Sequence, residues 1–238
     1  MLADMSVVPM LDREVYLYAE VDRIVGLRSG TARRWINGYQ RGGKLYEPIL
    51  RTESRDTEWA TWGEFVETRI LAEYRDIAKV PTPRLRGAIT QLRANYRVDY
   101  PLAYLHPYMK AESGELTIGG KDIGLVGLDD TRVVVRTGQG LLTDGWPVIQ
   151  NASLGSDERG GGPFVIEMPA ADDFPGIVVN PNRYSGQPTF EGRRVAVATI
   201  AGMVAAGERE EDLAADYGLS LRQVQSAVEY VHKYGVAA

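Results

Sequence analysis

Arg209 to Tyr234 reads REEDLAADYGLSLRQVQSAVEYVHKY, and its apolar spacing and punctuation spell two short helices joined by a tight turn. Leu213, Ala214 and Tyr217 share one face of the first helix, Gly218 supplies the stop, and Leu219 plugs the corner. Ser220 starts the second helix, and with Gln223 three residues on it forms an S-x-x-Q capping box that satisfies two orphan amide donors. Leu221, Val224, Ala227, Val228 and Val231 continue the stripe at three-and-four spacing, while Arg222, Gln225, Glu229 and Lys233 point elsewhere. This is a helix-turn-helix pattern, a packing that reads DNA in some proteins and serves as an adaptor in others.

The same grammar recurs near the other end. Residues 16–39, YLYAEVDRIVGLRSGTARRWINGY, predict a helix with Ala19, Val21 and Ile24 inward and a turn at Gly26 and Leu27. A second helix follows, capped by Ser29, with Thr31, Arg33 and Arg34 in its exposed first turns and Trp35 and Ile36 as inward anchors. RGGKLYEPILRT predicts a small hairpin or wing that turns at Gly42 and Gly43, with Pro48 restricting its second half to an edge. Thr61 and Glu64 form a T-x-x-E capping box before Trp62, Val66, Ile70, Tyr74 and Ile77. Thr82 caps a further helix with Pro83 at its first helical position and Leu85, Ile89, Leu92 and Tyr96 along one face.

From Tyr100 the period becomes alternating, through ELTI, TRVVVRT, PFVIEM and GIVVN, with Gly, Asp and Pro clusters between and GSDERGGG at 155–162 as a loop. The expected fold class is therefore α+β. It comprises an N-terminal winged helix-turn-helix with two further helices (1–104), a β-rich central segment (105–176) and a C-terminal tri-helical unit (177–238).

Composition narrows the chemistry. With no cysteine and two histidines among 238 residues, disulfide frameworks, thiol nucleophiles and Cys- or paired-His zinc sites are excluded. No apolar run approaches the roughly 20 residues of a membrane span, and the first residues lack the form of a signal peptide. A cytoplasmic protein is expected. The net charge is −5 but unevenly placed: residues 12–100 carry 16 Lys and Arg against 13 Asp and Glu, and 101–176 carry 5 against 11. Arg23 to Tyr46 holds Arg23, Arg28, Arg33, Arg34, Arg41 and Lys44 with no acid, so the first helix-turn-helix and its wing form a positive patch suited to a phosphate backbone. The C-terminal pair opens instead on Glu208, Glu210, Glu211, Asp212 and Asp216, which phosphates would repel. It is the better site for a protein.

Other motifs carry less. TGQGLLTDG has Thr143 at the third glycine position of a dinucleotide loop and reads as a hairpin turn. GELTIGGKD has the wrong spacing for a phosphate loop and Asp122 where a hydroxyl is needed. Asp129 with Asp130 and Asp172 with Asp173 read as solvated turns; His106 precedes a proline, and His232 sits where a helix C-terminus favours a cation. No catalytic residue, metal site or cofactor is expected.

Two segments resemble known families. Residues 16–44 resemble the N-terminal helices and wing of MerR-like regulators, with TARRW matching their Thr-x-Arg-x-aromatic pattern at Thr31, Arg33 and Trp35. The C-terminal part is similar to the domain of unknown function 433 (DUF433) through Asn180-Pro181, the G-x-P of Gly186 to Pro188, and the G-x-R-[IV] of Gly192 to Val195. Phe190 and Arg193 depart from that family's preferences. The order of parts is similar to VapB-type antitoxins. That resemblance implies a type II antitoxin that silences a PIN-domain ribonuclease toxin of the VapC type and represses its own operon, as a homodimer on operator DNA. The DNA-binding candidates are Arg28, Ser29, Thr31, Arg33, Arg34, Tyr39, Arg41 and Lys44; the toxin-binding candidates are Arg183, Arg193, Arg194, Glu211 and Asp212. The alternative, a MerR-like regulator with a small-molecule effector, predicts a roomy apolar pocket with a few convergent polar groups.

Overall fold

One helix, α3 (Trp62–Asp76), is buried along almost its whole length, from Trp62 to Tyr74. A helix enclosed on every side must be the centre of a core, and the elements around it are arranged accordingly. The structure is a computed structural model that describes residues 8–76, 78–105, 109–112, 115–119, 132–135, 140–141, 153–156 and 163–235. It is an α+β fold of short helices and small sheets.

Strand β1 (Glu14–Leu17) leads into α1 (Tyr18–Val25), which turns through Gly26 into α2 (Thr31–Asn37). Val21, Ile24, Ala32, Trp35 and Ile36 bury the inner faces of this pair. Ala19 is exposed instead of inward, and Tyr18 and Asp22 take the buried positions. The wing is β2 (Tyr39–Arg41) paired antiparallel with β3 (Lys44–Tyr46) across Gly42 and Gly43, whose φ values of 57° and 76° suit a two-residue hairpin. After the wing the amides of Ile49 and Leu50 donate to the Trp35 carbonyl at 2.8 and 3.0 Å, returning the chain to α2. Strand β4 (Trp59–Thr61) pairs antiparallel with β1.

The Thr61–Glu64 box forms as expected: the Thr61 amide donates to the Glu64 carboxylate at 2.9 Å, and the Glu64 amide to the Thr61 hydroxyl at 3.2 Å. In α4 (Thr82–Tyr96) the cap position is Pro81, so Thr82 is the first helical residue and not the cap. Leu85, Ile89 and Leu92 are buried, whereas Tyr96 is exposed. Helix α5 (Pro101–Leu105) follows, then the antiparallel meander β5 (Met109–Glu112), β6 (Glu115–Gly119), β7 (Arg132–Val134) and β8 (Gly140–Leu141). His106, Asp129, Asp130, Ile77, most of TGQGLLTDG and the 157–162 part of the glycine loop lie outside the described residues.

A second antiparallel sheet is ordered β12 (Thr189–Phe190), β11 (Ile177–Val179), β10 (Pro163–Pro169), β9 (Ser153–Ser156). It meets α3 through the Trp62 indole, which donates to the Val165 carbonyl at 2.8 Å. The chain ends in α6 (Val197–Ala205), α7 (Glu210–Tyr217) and α8 (Leu221–Tyr234). Ser220 and Gln223 make the expected box, and Gly218 takes the left-handed stop at φ 62°. Tyr230, absent from the expected stripe, is fully buried, while Leu221 is exposed because it begins the helix beyond α7. One hydrophobic cluster runs from Leu11 through α3 to Tyr230.

Candidate nucleic-acid interface

The first helix-turn-helix is held from both ends by side chains remote in sequence. At the amino end of α2 the buried Asp22 carboxylate accepts from the amides of Gly30 at 2.6 Å and Ala32 at 2.7 Å. Gly30 occupies the cap position with φ 76°, so Ser29 is not the cap. Burial raises the Asp22 pKa, and the amide donors oppose that rise. Thr31 is buried, not exposed, and its hydroxyl accepts from Arg34 at 3.1 Å, which orients that guanidinium.

At the carboxyl end Arg51 is a buried hub. Its guanidinium forms a bidentate pair with Glu64 at 2.5 and 2.9 Å, and donates to the Tyr18 hydroxyl and Asn37 Oδ1 at 2.8 Å each and to the Trp59 carbonyl at 3.0 Å. One side chain thereby ties α1, the end of α2, β4 and α3. Desolvation pulls the Arg51 pKa down, but Glu64 and Tyr18 together leave the net shift upward. Asn37 also accepts from the Arg55 amide at 2.7 Å. Sequence reading missed both Asp22 and Arg51, because their partners lie 8 to 33 positions away.

On this scaffold Arg28, Ser29, Arg33, Arg34, Tyr39, Arg41 and Lys44 are all exposed. The wing is stiffened by Tyr39 stacked on Tyr46, with centroids 4.5 Å apart and planes 1° from parallel, and by Lys44 5.3 Å from the Tyr46 ring centroid. Glu58, 3.5 Å from Arg33, brings one carboxylate to the face. Arg75 lies 4.4 Å over the Trp35 ring behind α2. Five cations, two of them on the wing, are thus displayed by a braced frame, an arrangement able to follow a phosphate backbone.

The C-terminal candidates are less united. Arg183 is ion-paired with Glu167 at 2.6 Å. Arg193 lies beside the turn between α7 and α8, where a β-carbon on Gly218 would stand 3.7 Å from its guanidinium. Arg194, Glu211 and Asp212 are exposed, and the two acids lie 3.7 and 3.9 Å from Arg209, which the sequence reading left out. The Asp172–Asp173 pair is not a merely solvated turn. Asp172 pairs with Arg69 at 2.5 Å, while Asp173 pairs with Lys233 and accepts from the Tyr234 hydroxyl at 2.9 Å, pinning the end of α8. A cavity of about 480 Å³ between α8 and the 173–177 turn carries Arg222, Gln225 and Glu229 on its rim. A larger cavity, about 680 Å³, is lined by Pro48, Ile49, Ala94 and Val98 together with Arg86, Arg93, Arg97, Glu47 and Asp99.

The fold carries a helix pair with a hairpin that displays cations near its N-terminal end and three helices at its C-terminal end, on one hydrophobic core. Residues 177–231 match the family described as "Protein of unknown function (DUF433)". Over 237 residues, 100% of this chain and 98% of the relative, the sequence is 57% identical to the "Uncharacterized protein Rv2308" of Mycobacterium tuberculosis, and the chain belongs to the family of that protein. It is also 26% identical, over 97% of this chain and 99% of the relative, to a protein of the same organism named "Putative antitoxin VapB45". The fold is shared with the crystal structure of Rv2018 from M. tuberculosis, with a TM-score of 0.60 at 23% identity over 92% of this chain and 99% of that one. Among the described residues no helix is long and apolar enough to cross a membrane.

Proposed function

We propose that this protein is a type II antitoxin and autorepressor. The N-terminal winged helix-turn-helix binds operator DNA as a homodimer, and the C-terminal unit holds a PIN-domain ribonuclease toxin of the VapC type. It acts in the cytoplasm by binding and not by catalysis, without a cofactor. The observation that carries the DNA half is the display of Arg28, Arg33, Arg34, Arg41 and Lys44 on α2 and the wing. Likeness along nearly the whole chain to a protein named as an antitoxin supports the other half. An acidic α7 beside Arg193 and Arg194 offers both signs of charge to a nuclease that is basic along its RNA path and acidic around its metal.

The test is a gel-shift series over salt with the DNA upstream of the protein's own reading frame, together with co-expression of the neighbouring short reading frame. Arg33→Ala/Arg34→Ala is expected to weaken binding and to reduce the log-log salt slope by about 0.9 for each phosphate no longer neutralised. Wild-type affinity and slope in that variant would remove the DNA assignment. Failure of a nuclease encoded next door to co-purify, with its toxicity undiminished, would remove the antitoxin assignment.

A further inference from the structure

Helix α4 carries Arg86, Thr90 and Arg93 at i, i+4 and i+7, so they share one face, and Arg97, the residue that ends the helix, lines the same groove. That face forms one wall of the 680 Å³ groove, and the chain from Glu47 to Thr52 after the wing forms the other. Arg51, Thr52, Arg93 and Asp99 continue into a smaller cavity of about 130 Å³, where Arg55 joins them.

Two of these arginines are rigid. Arg86 donates to the carbonyls of Pro48 at 2.6 Å and Glu47 at 3.0 Å, and Arg93 to those of Leu50 at 2.5 Å and Asp99 at 3.1 Å. Carbonyls fix a guanidinium without neutralising it. The acid behind Arg93 is Glu67, ion-paired with it at 3.5 Å and wholly buried; burial pushes its pKa up to about 8 against the opposing pull of Arg93. Arg51 is matched by Glu64. Arg55 and Arg97 are exposed, and among the described residues neither guanidinium has an ion-pair partner. The opposing acids are Glu47, Asp99 and, in the smaller cavity, Asp12, which accepts from the Tyr100 hydroxyl at 2.9 Å. The larger groove is thus lined by four guanidinium groups, Arg51, Arg86, Arg93 and Arg97, and two carboxylates, Glu47 and Asp99, while Arg55 and Asp12 stand in the smaller cavity beside it.

We propose that this groove binds a phosphoryl anion, with Arg86 and Arg93 as fixed walls and Arg97 and Arg55 as the forks that close on its oxygens. Planar guanidinium forks match that geometry. The anion is either a free phosphate ester or a backbone phosphate of duplex DNA passing the wing, since Glu47 immediately follows β3 and Arg55 is bonded to the end of α2. None of the four arginines belongs to the α2 and wing set, so the groove is a site beyond the proposed DNA reading.

Arg97 is the residue to change. It has a left-handed φ of 55°, which glycine adopts without strain, so Arg97→Gly removes the charge while relieving the backbone. The full-length protein is titrated calorimetrically with inorganic pyrophosphate, and binding to a duplex of unrelated sequence is followed by anisotropy over salt. A free-ester site predicts pyrophosphate binding that Arg97→Gly weakens roughly tenfold or more and that Arg97→Lys partly retains, with Arg33→Ala/Arg34→Ala unaffected. A backbone site predicts no pyrophosphate heat but a duplex salt slope lower by about 0.9 in Arg97→Gly. Pyrophosphate that does not bind, or binds Arg97→Gly as well as wild type, together with an unchanged duplex slope, overturns the proposal. Arg55→Ala repeats both arms should Arg97→Gly fold poorly. Failure of the α2 reading would show separately, as wild-type DNA binding by Arg33→Ala/Arg34→Ala.

Discussion

Asp22→Ala isolates the device that sets the first reading helix. The Asp22 side chain is 5% exposed, and its two oxygens accept from Gly30 and Ala32 at 2.6 and 2.7 Å. Alanine leaves both amides without an acceptor where little water reaches. Each charge-assisted bond is worth about 1.5 to 3 kcal/mol, and a lost helix cap typically costs about 1. Against this, burial raises the pKa of Asp22, so the ionised carboxylate is itself disfavoured there. Allowing for that opposition, the net cost is about 2 to 3 kcal/mol. Asparagine, isosteric and neutral, keeps one good acceptor, so Asp22→Asn should cost about half as much. Urea unfolding followed by far-UV circular dichroism gives the stabilities, and anisotropy on operator DNA gives affinity at a temperature where all three proteins are folded. Because α2 spans only seven residues, fraying its first turn removes the platform for Arg33 and Arg34, and DNA affinity should fall alongside stability. An alanine variant within about 0.5 kcal/mol of wild type, with unaltered DNA binding, would refute the capping argument.

Three further expectations concern the core. Tyr16→Phe leaves the buried Gly186 carbonyl without its 2.5 Å donor and should cost about 1 to 3 kcal/mol; Gly186→Ala should cost more, since φ is 85° and its β-carbon would lie 2.6 Å from the Tyr16 hydroxyl. Both are read from urea midpoints. Glu67, with its pKa raised by burial from 4.5 to about 8, holds its proton longer folded than unfolded, so its contribution is full below about pH 4.5 and falls as pH rises to 8. The loss is on the order of 5 kcal/mol, and in urea unfolding from pH 5 to 8.5 Glu67→Gln should flatten that part of the decline; an unchanged slope would show that Glu67 titrates normally.

What was legible in the chain was what local physics writes there. The boxes of Thr61 with Glu64 and Ser220 with Gln223 span three residues each, and both form. The Gly42–Gly43 turn and the alternating strands are likewise short-range. The errors came where a distant group displaced a local one. Ser29 looks like a cap by position, but Asp22 reaches across the turn from the preceding helix, leaving Gly30 free to take a left-handed conformation that serine would resist. Leu221 fits the apolar period of α8, yet the core that α8 meets lies further along, at Val224, Ala227 and Tyr230. Glu64, Glu67, Arg69 and Glu73 have the composition of a solvated face; they are buried because partners from the 51, 93 and 172 positions converge on α3. Arg183 illustrates the same limit at the candidate site. No local pattern shows that Glu167, on a neighbouring strand, takes up its charge.

The two helix-turn-helix units differ in what surrounds their second helices more than in how those helices are built. Both end their first helix on a left-handed glycine, Gly26 in one and Gly218 in the other. In the N-terminal unit the exposed cations of α2 continue onto a stacked wing, and the five positive charges there outnumber the neighbouring carboxylates of Asp22, Glu58 and Asp76. In the C-terminal unit Glu210 accepts from Gln225 of α8 at 3.1 Å, and Glu211 and Asp212 stand in the same first turn of α7. A phosphate approaching α8 would meet the field of that acidic turn as well as Arg222, and repulsion there would offset much of the attraction that one arginine can supply. A protein with basic groups on its surface meets the opposite balance. The units are also joined: Tyr16 donates to the Gly186 carbonyl, Arg13 to Asn182 at 2.8 Å, and the ring of Tyr234 lies against Gly26. Cutting the chain between them would expose Ile177, Phe190 and the inner face of α1 together. The division of labour proposed here is therefore to be tested by charge changes on the intact chain, where the folded core is held constant and only the surface under question is altered.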